Sequence, residues 1–142
     1  MCDIEIAKQY LKDDNTCVLI KGEKSYISQK SGIAPMLDFI AKGVDLEGFS
    51  VADKIVGKAA AMLFKKAKIK EVYAETVSKA GLEYLEQNGI KVSYGLCVDV
   101  IINRQNTGMC PMEQTVLNIE DFEEGYRALV NKVNELKKGE KK

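Results

Sequence analysis

Two stretches of this chain carry residue types that can do chemistry. In "NTGMCPMEQTV", residues 106–116, Cys110 stands directly before Pro111, with Glu113 three positions after the cysteine. Pro111 fits the first position of a helix and Glu113 the capping-box position, from which a carboxylate reaches back to the backbone N–H of residue 110. Cys110 is a weaker fit as a cap, since Ser, Thr, Asp or Asn cap better. A thiol at a helix N-terminus is acidified, so Cys110 is a candidate nucleophile or redox thiol, with Glu113 or Asp99 to tune it. The competing reading is that Cys110 is a small buried hydrophobe. Just upstream, Asn103 and Arg104 offer an amide and a guanidinium, and arginine suits carboxylate or phosphate recognition.

The second stretch is "DKIVGKAAAMLF", residues 53–64. Gly57 and three alanines remove bulk beside Lys58, which lets a ligand or another backbone approach a positive charge. Alternatively, the alanines pack a helix on a sheet, and Lys54, Lys58 and Lys65 form one solvated stripe. Asp53 is either a polar ligand contact or the acid of a capping box with Ser50. Ser78, in "AETVSKAG", stands where a strand gives way to a helix. It is a routine N-cap or a contact for an anionic ligand at the free N–H groups there. Neither a Walker motif nor a dinucleotide fingerprint is present.

The strongest exclusion is compositional. The 142 residues contain no histidine, which removes the commonest general base, every Ser-His or Cys-His pair and every histidine metal ligand. The four cysteines, Cys2, Cys17, Cys97 and Cys110, form no C-x-x-C pair, so no metal site and no cofactor is expected. Twenty-one basic and twenty-one acidic residues cancel, which is not the footprint of a dedicated nucleic-acid binder. The N-terminus lacks a secretory pattern and no apolar run is long enough to span a bilayer, so the chain reads as cytoplasmic, with reduced thiols.

The elements that must position these residues follow from periodicity. Residues 3–13 read as a helix capped by Asp3; 16–21 and 24–29 as a hairpin; 35–43 as a short helix opened by Pro35 and closed by Gly43. "FSVADKIVGKAAAMLFKKAKI", residues 49–69, reads as the strongest helix, with Ser50 and Asp53 as its capping box. Residues 71–77 form a strand, Ser78 caps a helix through Gln87, and Asn88-Gly89 stops it. Residues 90–96 alternate as another strand, which "CVDVIIN" extends or follows with a fifth. Asn118 and Asp121 open a last helix with a stripe from Phe122 to Leu136. One domain over residues 1–142 is expected, ending in a frayed basic tail from 136 to 142. Strands alternating with helices predict an α/β fold, a three-layer α/β/α sandwich with a sheet covered on both faces.

With both signatures in view, the chain resembles an uncharacterised bacterial family, a domain of unknown function placed in the cytidine deaminase-like superfamily. The likeness runs from about residue 4 to residue 134 and rests on D-x-x-V-G-K-A-A-A and N-R-x-x-x-G-x-C-P-x-E. It implies a cytidine deaminase-like fold with a mixed central sheet and two helices packed side by side. True deaminases carry H-A-E or C-A-E on the first of these helices and P-C-x-x-C at the start of the second. Here the first reads "GKAAA", with Lys58 near the metal-binding position and alanine near the catalytic glutamate, and the second reads "TVSKA". The zinc ligands and the proton shuttle are absent, so deamination is not expected. The expected function is zinc-free binding of a nucleotide or related small molecule, where Asp53–Lys58 and Ser78 meet Cys110–Glu113. An enzyme using Cys110, and a structural or regulatory homo-oligomer, are the two other readings.

Overall fold

The computed structural model describes residues 2–12, 14–103 and 106–140. Its elements run α1 (Asp3–Tyr10), β1 (Cys17–Lys21), β2 (Lys24–Ser28), α2 (Ala34–Ala41), β3 (Ser50–Val56), α3 (Lys58–Lys66), β4 (Glu71–Ser78), α4 (Lys79–Gln87), β5 (Lys91–Val98), α5 (Pro111–Val116) and α6 (Phe122–Glu140). The strands form one mixed sheet in the order β2-β1-β3-β4-β5. β1 pairs antiparallel with both β2 and β3, while β3, β4 and β5 run parallel. The chain is an α/β fold.

Most of the elements form for the reasons the sequence gives. Gly22 adopts φ +60 in the tight turn between β1 and β2, the left-handed geometry that matches strand twist in a two-residue hairpin. Asp3 is the first helical residue of α1 instead of its cap, and its carboxylate accepts the N–H of Gly22 at 3.3 Å. Asp121 caps α6 by accepting the N–H of Glu124 at 2.9 Å. The apolar stripe of α6 is buried at Leu129, but Leu136 is exposed. The expected frayed tail is helical in its backbone as far as Glu140.

The largest correction concerns residues 49–69. They are a strand, a glycine and a helix, and not one long helix. β3 is the central strand, and Val51 and Ala52, neighbours whose side chains leave opposite faces, are both fully buried. A parallel strand buried on both faces reads as an unbroken apolar run, which periodicity alone cannot separate from a buried helix. Ser50 and Asp53 therefore make no capping box; both are buried strand residues. The expected solvated lysine stripe dissolves with the helix, because Lys54 lies on β3 and Lys58 is buried as the first residue of α3.

Two apolar clusters hold the fold. The smaller joins Ala7 and Leu11 to Val18, Ile20 and Ala52. The larger gathers Leu19, Val51, Val72 and Ala74 with α3, Leu85 of α4, Val116 of α5 and Leu129 of α6. Ala59 through Phe64 are all buried, and α3 is the helix around which α2, α4, α5 and α6 assemble, while α1 packs on the other face of the sheet.

Candidate functional site

α3 begins directly at the end of β3, and its N-cap, Gly57, has no side chain to satisfy the first N–H groups. The Glu113 carboxylate supplies what is missing. Its Oε1 accepts the N–H of Lys58 at 2.8 Å and its Oε2 accepts the N–H of Ala59 at 2.9 Å. A carboxylate suits this position because unpaired N–H groups and the helix dipole both favour negative charge. Glu113 therefore does not reach back to Cys110, as a capping box would have it; the Cys110 N–H donates to the Ile101 carbonyl at 2.9 Å.

Glycines make the room. A Cβ on Gly57 would lie 2.3 Å from Glu113 Oε1, and a Cβ on Gly81 would lie 2.8 Å from the Gly57 carbonyl carbon. α3 and α4 thus start in backbone contact, with Glu113 filling the space above Gly57. Ser78 caps α4 as expected, its Oγ accepting the Gly81 N–H at 3.0 Å. Burial raises the pKa of Glu113, opposed by the N–H groups of Ala59 and Lys58 and by the Lys58 charge.

Lys58 turns its buried side chain toward the segment after α5. Its Nζ donates to the Leu117 carbonyl at 3.3 Å and to Glu120 Oε1 at 3.1 Å. The Tyr84 hydroxyl donates to the Glu120 carbonyl at 2.9 Å, tying the same segment to α4. Lys58 and Leu117 border two spaces. One is a cavity of about 50 Å³, lined among others by Ser78, Asp99, Ile101, Met109 and Glu113. The other is a cleft of about 230 Å³, bordered by Glu83, Tyr84, Gln87 and Glu120. Ligand pockets usually occupy roughly 300–1,000 Å³, more than either space, so a ligand of that size needs Glu113 or the Leu117–Glu120 segment to give way.

Of the residues singled out from sequence, Lys58, Ser78 and Glu113 meet at the cavity. Asp53 does not line it. It is buried on β3 opposite Cys17 of β1, where burial pushes its carboxyl up to about 7 against the N–H groups of Ile55 and Lys54 and the Cys17 thiol. Burial, and then Asp53, push the Cys17 thiol upward in turn. Asn103 shapes a turn, its Oδ1 accepting the Thr107 N–H at 3.0 Å and its N–H donating to the Gly108 carbonyl at 2.9 Å. Arg104 lies outside the described residues. Cys110 is half-buried at the N-cap position of α5 without capping it. Among the described residues no hydrogen bond from its thiol to a neighbouring base is present. Asp99 pairs with Lys79 at 2.9 Å.

Sequence reasoning missed Tyr84, Leu117 and Glu120, which join the site only through tertiary packing. Among the described residues, no group of three His, Cys, Asp or Glu side chains is arranged to hold a metal ion. No described helix is long and apolar enough to cross a membrane.

The profile of a domain of unknown function, DUF1893, matches residues 5–133. No curated protein matches the chain. Among solved structures, a DUF1893 family protein (TM1506) from Thermotoga maritima is 30% identical, with 90% of this chain and 85% of that chain covered and a TM-score of 0.79. A diaminohydroxyphosphoribosylaminopyrimidine deaminase/5-amino-6-(5-phosphoribosylamino)uracil reductase from Thermotoga maritima is 19% identical over 66% of this chain and 34% of that one, with a TM-score of 0.46.

Proposed function

The chain belongs to the DUF1893 family, a family of unknown function, and we propose that it is a zinc-free, non-deaminating protein of cytidine deaminase-like, three-layer fold that binds a nucleotide or related small molecule beside Lys58. Support for the fold comes from the mixed sheet order, from apolar clusters on opposite sides of β1 and β3, and from α3 and α4 starting side by side. The donors at those two helix starts do not fit zinc. Lys58 is a cationic donor, the Ser78 hydroxyl is engaged by Gly81, and the single carboxylate is held by two N–H groups. A zinc site takes three or four N, S or O ligands, so no metal-bound water enters the proposal.

One observation carries the binding proposal. The Glu113 carboxylate is held on the two N–H groups that open α3, with the Lys58 ammonium on the same helix start bordering the cavity and the cleft. A ligand phosphate or carboxylate can take the same N–H groups when Glu113 withdraws, because they are a general anion site. Glu83, Gln87 and Glu120, around the cleft, suit the amino and hydroxyl groups of a base or sugar.

The test is a thermal-shift series of nucleosides, nucleotides and ADP-ribose-like compounds on the wild-type chain and on Lys58→Met. Phosphate-bearing compounds should raise the melting temperature of the wild type and lose that effect in the variant. No shift with any compound, or equal shifts in both proteins, would count against binding at this site.

A further inference from the structure

Among the described residues, every hydrogen bond that residues 111–117 make beyond their neighbours in sequence goes to the first two residues of α3. Glu113 takes the N–H groups of Lys58 and Ala59, and the Leu117 carbonyl takes the Lys58 ammonium. Their other bonds are local: the Gln114 N–H and side chain donate to the carbonyls of Cys110 and Met109, and the Thr115 hydroxyl to that of Pro111. A phosphate bound at a helix start uses the same kinds of donor, backbone N–H groups with an ammonium beside them. α5 therefore holds α3 through the donors that an anion would need.

The space above Gly57 has the shape of one oxyanion. A Cβ there would lie within 2.6 Å of Oε1, Cδ and Oε2 of Glu113, and its three nearest atoms are these three. Glu113 also has a place to go. It lines the cavity of about 50 Å³ together with Lys58, Met109 and Leu117. One water needs roughly 10–15 Å³ of such space, so a carboxylate fits. The side chain can turn into that cavity while Val116, on the same short helix, stays fully buried in the core.

On the reading that a ligand anion binds beside Lys58, we propose that Glu113 is a tethered competitor for that anion. Its carboxylate closes the site from within. A phosphate group binds by displacing it from the N–H groups of Lys58 and Ala59 and by drawing the Lys58 ammonium from Leu117. The affinity seen from outside is then the intrinsic affinity multiplied by the fraction of molecules in which Glu113 has turned away. Being part of the chain, the competitor is never diluted, and it acts as a filter. Bare phosphate gains only the contacts that Glu113 already makes. A phosphate ester that also fills the cleft bordered by Glu83, Tyr84 and Gln87 gains more and displaces it.

Titration of the isotope-labelled full chain with inorganic phosphate and with a nucleoside monophosphate, followed at the amide resonances of Lys58 and Ala59, tests this. Glu113→Ala should tighten the binding of both compounds about tenfold or more, because the two N–H groups no longer have an internal acceptor to lose. Adding Gly57→Ala to Glu113→Ala should abolish that gain, since the new methyl stands where the oxyanion would sit and no longer collides with a carboxylate. Should Glu113→Ala fail to fold, Glu113→Gln sets an amide NH₂ against one of the two N–H groups and should give a smaller gain in the same direction. Equal affinity in wild type and Glu113→Ala, with both amides shifting, overturns the competitor and leaves binding beside Lys58 standing. A gain that survives Gly57→Ala, or one that leaves the two amides unmoved, overturns it as well, because the anion then lies elsewhere. Binding to neither protein removes the site itself.

Discussion

Glu113 caps a helix to which it is not adjacent: its carboxylate spans the first two N–H groups of α3, 55 and 54 positions earlier, in the space left by the absent side chain of Gly57. The backbone of Gly57, with φ −110, is open to any residue, so its glycine is required by space and not by conformation. Gly57→Ala should therefore cost about 2–3 kcal/mol through overpacking against the carboxylate. Glu113→Ala should cost about 1–3 kcal/mol by leaving two buried N–H groups unpaired. The double variant should lose clearly less than the sum, since the collision needs both partners. Urea denaturation of the four proteins measures this, and strict additivity would show that the two residues do not compete for one space.

Asp53 gives the chain a pH dependence with a definite sign. Its folded pKa is raised by burial to about 7, whereas an aspartate in an unfolded chain titrates near about 3.9. Between those values the folded state keeps a proton that the unfolded state has released. The stability associated with the neutral acid is thus complete below the unfolded pKa and is lost as pH rises toward 7. Asp53→Asn removes this slope, so its stability relative to wild type should rise between pH 4 and pH 8 by an amount on the order of a few kcal/mol. Glu113, also raised by burial, acts in the same direction in both proteins and cancels in the difference. Parallel urea midpoints for the two proteins across that range would refute the assignment.

Lys58→Met should be close to neutral for folding although Lys58 is buried. Its ion-pair partner Glu120 is 77% exposed and returns to water, and methionine keeps most of the apolar stem, so the expected change is under about 1 kcal/mol. Thermal melts without ligand check this. A loss several times larger would make Lys58 a structural residue and would weaken its use as a ligand probe.

Ser78→Ala tests the other helix start. Losing the hydroxyl that accepts the Gly81 N–H should cost about 1 kcal/mol and lower the melting temperature by about 3 °C. An unchanged melting temperature would mean that water replaces the cap without penalty.

Local signals in the sequence located most elements. Pro35 and Pro111 open α2 and α5, Ser78 caps α4, and Asn88-Gly89 ends it, each by a rule that operates within a few residues. β3 was hidden because both of its faces are buried. An unbroken apolar run joined to a helix by Gly57 alone offers no change of period, and Ser50 with Asp53 imitated a cap. The site was half legible for a related reason. Lys58, Ser78 and Glu113 could be picked out by type, but nothing near Glu113 in sequence says that its carboxylate belongs to α3. That pairing exists only once α5 packs across the helix starts. Asp53 was misjudged for the same reason as β3, since a strand turns toward the core what a helix start would have shown to the cavity.

The distance between α3 and its cap sets an order of events in biosynthesis. Every strand of the sheet is complete at Val98, and the most buried helix has by then been synthesised for some thirty residues. Its leading amides nevertheless stay unanswered until residues 111–116 leave the ribosome and fold back over them. Contacts of such long sequence separation form late, because the loop between them must close first. A chain halted between β5 and α5 would lack the carboxylate that pairs the Lys58 and Ala59 N–H groups and the Val116 and Leu129 side chains that complete the larger core.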